Sequence, residues 1–153
     1  MTIQKSIHGP ALELEPLTAV VTAAGTIVAG DCIQLALNAS TGVLTHTESA
    51  TNDAQKHELI WAVCPVDAVS GDNVKVVLRG LVKARVRSQG TQVAAGERVN
   101  VIDAAAYTSA PLWSDGATGE KAVAIATVQG AASGGNVSTM YVIFNGIEGT
   151  GLV

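Results

Sequence analysis

Short apolar runs closed by turn residues set the pattern of this chain. Val, Ile, Leu and Thr gather at Leu17 to Val21, Cys32 to Leu37, Val43 to Thr47, Leu59 to Val66, Val74 to Leu78, Leu81 to Arg87, Val99 to Ile102, Ala122 to Val128 and Met140 to Phe144. Between them stand Ser40-Thr41-Gly42, Ser70-Gly71-Asp72-Asn73, Ser88-Gln89-Gly90, Ser114-Asp115-Gly116 and Ser133-Gly134-Gly135-Asn136, residues that tolerate the positive φ of tight turns. Nine strands are predicted on this reading, and many short strands with regular turns describe an all-β sandwich or barrel. A helix has one place to form, Thr47 to Glu58, where Asn52-Asp53 would interrupt it.

The chain divides into three stretches. Residues 1–16 read as an extended arm, with Pro10 and Pro16 bracketing the alternating Leu12-Glu13-Leu14-Glu15. Residues 17–146 form one β-rich domain, and the glycine-rich residues 147–153 form a flexible tail. Inside the domain there is a near-repeat, which suggests two pseudo-repeated halves at about 28–80 and 94–146. Val28-Ala29-Gly30-Asp31-Cys32-Ile33-Gln34-Leu35 answers to Ala94-Ala95-Gly96-Glu97-Arg98-Val99-Asn100-Val101 at a spacing of 66 residues, and Ser70-Gly71-Asp72-Asn73-Val74 answers to Ser133-Gly134-Gly135-Asn136-Val137 at 63.

Composition adds a constraint on the surface. Apolar residues are 48% of the chain but aromatics only 3%, so a core must be packed from Val, Ala, Leu and Ile. Charged residues are only 14%, against roughly 25% in an ordinary soluble domain. Such a chain presents water with an unusually apolar exterior, which association with copies of itself or with a partner would cover. A net charge of −4 lacks the basic excess of a nucleic-acid binder. The uncharged stretch Ala122 to Ile147 is broken by Gln129, Ser133, Asn136 and several glycines, unlike a membrane span. Met1 to Pro10 lacks the build of a secretory signal, which predicts a cytoplasmic protein with Cys32 and Cys64 as reduced, buried thiols.

Candidate chemistry is sparse. His8, His46 and His57 are scattered, no Cys-x-x-Cys or His-x-x-x-His spacing occurs, and neither a Gly-x-Ser-x-Gly elbow nor a phosphate-binding loop is present. No catalytic, cofactor-binding or metal-ligating residue is predicted. Most acids, such as Asp31, Asp72, Asp103 and Asp115, stand in turn-like contexts, where they cap backbone N–H groups. His8 and His57 are candidates for pH-sensitive contacts, against plain surface histidines.

Charge is concentrated in one place. Lys75, Arg79, Lys83, Arg85 and Arg87 supply five of the nine Lys and Arg residues. In Leu81 to Arg87 a period of two sets Lys83, Arg85 and Arg87 opposite Val82, Ala84 and Val86. This basic ribbon reads either as a docking surface for an acidic partner or as a solvated face that protects a sheet edge. Trp113, in Ala110 to Gly116, is either an interface anchor or an internally packed side chain. Ile3, Ile7, Leu12 and Leu14 are the apolar interface candidates of the arm, beside Lys83, Arg85, Arg87 and Trp113 in the domain.

In style and spacing the chain resembles the bacteriophage capsid decoration (cement) proteins. The resemblance lies in Ile27 to Leu35, Gly42-Val43, Trp61-Ala62-Val63, Ala95 to Val99 and Ser133 to Val137, and it covers most of the chain after residue 17. It implies a homotrimer without catalytic residues that binds the major capsid protein on the outside of the shell, made in the host cytoplasm and carried on the virion. The arm would then reach toward neighbouring subunits. A carbohydrate- or surface-binding module of a fibre or adhesin is the alternative, disfavoured by the five aromatics, and a small β-sandwich hydrolase comes third.

Overall fold

The structure is a computed structural model that describes residues 15–48, 60–101, 107–114, 122–130 and 134–147. Among them the fold is all-β. Its strands are β1 (Leu17–Thr22), β2 (Cys32–Leu37), β3 (Leu44–Thr47), β4 (Ile60–Val63), β5 (Asn73–Arg87), β6 (Arg98–Asn100), β7 (Leu112–Ser114), β8 (Ala122–Ala126) and β9 (Val137–Asn145). The helix considered after Thr47 falls on residues outside the described set.

Two strands differ from expectation. The runs Val74 to Leu78 and Leu81 to Arg87 are one continuous strand, β5, because Gly80 takes φ +126 and lets the backbone twist without leaving its ladder. A side chain could not do the same there, since a Cβ on Gly80 would sit 2.9 Å from Pro16 Cα. Conversely, Leu112–Ser114, expected as loop, is β7: a parallel register with β5 (Val86↔Leu112) and an antiparallel one with β6 (Val99↔Ser114) hold three residues that have no strand-length pattern of their own.

Backbone hydrogen bonds reveal the repeat at the level of single atoms. Gly30 N–H donates to Cys64 O at 2.7 Å, Asp31 N–H to Val28 O at 2.9 Å and Cys64 N–H to Asp31 O at 3.0 Å. In the second half Gly96 N–H donates to Ala126 O at 2.7 Å, Glu97 N–H to Ala94 O at 3.1 Å and Ala126 N–H to Glu97 O at 3.0 Å. Pair registers follow the same correspondence, Ile33↔Ala62 answering to Val99↔Ala124, Gln34↔Thr47 to Asn100↔Trp113 and Val21↔Val74 to Val86↔Ser138. The repeat unit therefore begins earlier than the sequence suggested. β1, β2, β3, β4 and the first half of β5 make one unit; the second half of β5, β6, β7, β8 and β9 make the other. The long strand β5 ends the first unit and opens the second.

Each unit curls around its own core. Val21, Ile27, Ile33, Leu35, Val76 and Leu78 fill the first; Val82, Val86, Val99, Leu112, Val142 and Phe144 fill the second, which also takes in Trp61, Val63 and Val77 from the outer wall of the first unit. The second unit is a closed five-stranded barrel, with β5 pairing both β7 and β9. In the first, β1 pairs with β5 and β3 with β2, and no register joins β1 to β3. His46 of β3 occupies the position of Leu112 and bridges the gap. Its Nδ1 accepts from Ala24 N–H at 3.0 Å, so its proton sits on Nε2 and is donated to Thr108 O at 2.7 Å.

That bridge requires a neutral imidazole, and burial, only partly offset by the bond to Thr108, lowers the pKa of His46 from its ordinary 6.5. As pH falls below 6.5 the unfolded chain takes up the proton first, so stability complete above that value is lost progressively toward the folded-state pKa. Thermal melts from about pH 7.5 to about pH 5.5 are expected to show a larger fall for the wild type than for His46→Gln, which keeps an acceptor but cannot titrate. Parallel curves would exclude His46 as the sensitive group.

Candidate interaction surface

β5 displays its side chains in the alternation its sequence requires, with Val82, Ala84 and Val86 buried and Lys83 and Arg87 exposed. Arg85 departs from the ribbon. The turn Val28 to Asp31 packs against it, Arg85 N–H donating to Gly30 O at 2.8 Å. Its guanidinium bends inward so that Nη1 lies 2.7 Å from Asp31 Oδ1. Ser109 Oγ donates to the other carboxylate oxygen at 3.1 Å. Burial pushes the Asp31 carboxyl up in pKa, with the nearby Arg85 charge and the Ser109 and Arg85 hydrogen bonds opposing it. The triple basic ribbon is thus two exposed cations flanking an internal ion pair that ties the two units together.

At the far end of β5 the ring of Trp113, half-buried on β7, lies beneath Arg87, with the guanidinium carbon 5.7 Å from the ring centroid. The pair follows from the register Arg87↔Trp113. Among the described residues the buried Trp113 indole N–H has no acceptor. Ile3, Ile7, Leu12 and Leu14 lie outside the described residues.

Beside Lys83 the outer wall of the second barrel is apolar. Leu81 of β5, Ile143 of β9 and Ile125 of β8 stand in one row across three strands, and Tyr141 stands opposite Lys83. Tyr141, Ile143 and Ile125 are about half exposed, at 51%, 52% and 48%. Arg98 ends the row opposite Ile125, and Arg79 stands two pairs beyond Ile143, opposite Asn145. The strands β5, β8 and β9 contain no acidic residue. Sequence reasoning read Met140 to Phe144 only as a strand. The available signal was that both alternating faces of that strand are apolar, Tyr141 and Ile143 on one and Met140, Val142 and Phe144 on the other.

Elsewhere the chemistry is quiet. Cys32 and Cys64 are buried and not joined in a disulfide, and burial raises the Cys64 pKa away from thiolate formation. Among the described residues no group of three or more His, Cys, Asp or Glu is placed to hold a metal ion, and no helix is long and apolar enough to cross a membrane. No protein-family model matches the chain, and no curated protein matches it either.

Proposed function

We propose that this chain is a structural protein of a phage head, a capsid decoration protein that binds the major capsid protein on the outer surface of the expanded shell as a homotrimer. The observation that carries the reading is the Arg87–Trp113 corner at the end of β5. A Trp ring covered by an Arg is a preorganised anchor, because little side-chain entropy remains to be lost on docking and both residue types dominate binding hot spots. The low charge content and the half-exposed apolar wall support the same reading, since they equip the molecule for association. Mechanically, a protein that binds only the assembled, expanded lattice adds its binding free energy to that state, and linked copies engaging together multiply the effect through avidity.

The test uses expanded shells that lack the protein. Wild type is expected to co-sediment with them and raise their heat resistance, whereas Trp113→Ala or Arg87→Glu weakens binding by roughly tenfold or more, the scale of a hot-spot residue. Undiminished binding by both folded variants would remove this corner from the contact. Failure of the wild type to bind any shell, together with binding to glycans, would replace the reading with that of a sugar-binding module.

A further inference from the structure

The repeat assigns a partner to the apolar wall of the second barrel. In the first unit the equivalent wall is an internal interface. Val63 and Val77, paired there as Ile125 and Ile143 are in the second unit, are 0% and 7% exposed because they pack against the second unit. The second unit has no third repeat among the described residues to bury its wall in the same way. Among the described residues Ile125, Tyr141 and Ile143 stay about half exposed on that wall.

The same chain carries a surface complementary to that wall. At the end of the first barrel the turns around Val28 and Val69 form an open depression that also includes Thr26, Asp67, Ala68 and Asp72. Val28 and Val69 are 42% and 60% exposed. Asp67 Oδ1 accepts from Ala29 N–H at 2.8 Å and Asp72 Oδ2 from Val69 N–H at 2.9 Å, so both carboxylates are fixed at the rim while remaining exposed. The second unit does not reproduce this charge. Its counterpart of Asp67 is Gln129, whose side-chain N–H donates to Gln92 at 2.9 Å. The wall therefore has an apolar centre with Lys83, Arg98 and Arg79 around it, and the depression has an apolar centre with two carboxylates.

We propose that the chain associates with copies of itself head to tail, the Ile125–Ile143–Tyr141 wall of one copy seated in the Val28–Val69 depression of the next. Apolar contact supplies the attraction and the opposite charges set the register. Because the two surfaces are different patches on different units, the interface is heterologous, and copies joined this way close into a ring when their rotation closes. The inference deepens the self-association already contained in the proposed homotrimer by naming its two surfaces, and does not bear on what the assembly binds.

Two variants test it, one per surface. Ile143→Glu with Lys83→Glu disables the wall; Val28→Lys with Val69→Lys disables the depression and leaves the carboxylate caps in place. All four side chains point outward, and circular dichroism checks the fold. In analytical ultracentrifugation wild type is expected as a closed oligomer and each variant alone as a monomer. An equimolar mixture of the two variants is expected to form a heterodimer and nothing larger, since one intact wall and one intact depression remain between them. If either variant loses the wild-type spectrum, Ile143→Thr and Val69→Thr repeat the mixing at higher concentration. A monomeric wild type overturns the proposal, as does a mixture of folded variants that stays monomeric. Shell co-sedimentation, run separately, reports on shell binding, which neither result decides.

Discussion

Arg85→Ala is expected to lower stability by about 3 kcal/mol, the scale for leaving a buried charge without its counterion, and to lower the melting temperature by roughly 10 °C. Asp31 is 2% exposed, and the guanidinium 2.7 Å away is the cation that faces it. With its pKa raised above the ordinary 3.8, ionised Asp31 costs stability even with Arg85 present. The stability it contributes is complete below pH 3.8 and is lost as pH rises through the folded-state value. Removing Arg85 raises that value further and deepens the loss at neutral pH. Urea denaturation of Arg85→Ala should therefore show relative recovery on acidification, and Arg85→Ala combined with Asp31→Asn should be more stable at pH 7 than Arg85→Ala alone. If the single and double variants melt together, the ion pair is not what joins the turn at Asp31 to β5.

Gly146→Ala should have an effect of similar size for a steric reason. Trp61 N–H donates to Gly146 O at 3.0 Å, and Gly146 N–H donates to Leu78 O at 2.9 Å. The end of β9 is thereby clamped against the first unit. A Cβ at this position would land on the Trp61 carbonyl oxygen and lie 2.6 Å from its carbon and 2.7 Å from Phe144 Cε1. Backbone cannot swing aside as a side-chain tip can, so the strand end must part from β4, at about 3 kcal/mol, the upper part of the usual overpacking range. Gly130→Ala is the control. Its Cβ meets the terminal methyl of Met140, which can rotate away, with Val93 Cβ at 3.3 Å, so about 1 kcal/mol is expected there. Equal losses in chemical denaturation would show that Gly146 is not held against backbone.

The ion pair and the clamp both lie at the seam between the units, and neither could be read from local pattern. Arg85 alternates with Lys83 and Arg87 as a surface cation would, and only the turn at Gly30-Asp31, 54 residues away in the chain, draws it inward. Trp113 likewise gave no sign of its stacking, which depends on a parallel register with a distant strand. The wall of Ile125, Ile143 and Tyr141 was hidden differently: apolar residues on both faces of a strand look like deep burial until the topology shows that one face has no covering layer among the described residues.

By itself the sequence determined what depends on neighbours along the chain. The all-β class follows from the period of two and the turn residues, the repeat from the two Ala-Gly-acid turns, and the low charge of the chain from its composition. Tertiary structure alone decided that β5 belongs to both units, that one barrel closes while His46 bridges the other, and which wall is left uncovered. The physical reason is that strand pairing and burial are interactions between residues far apart in sequence, so alternation names the face of a strand but not what lies against it.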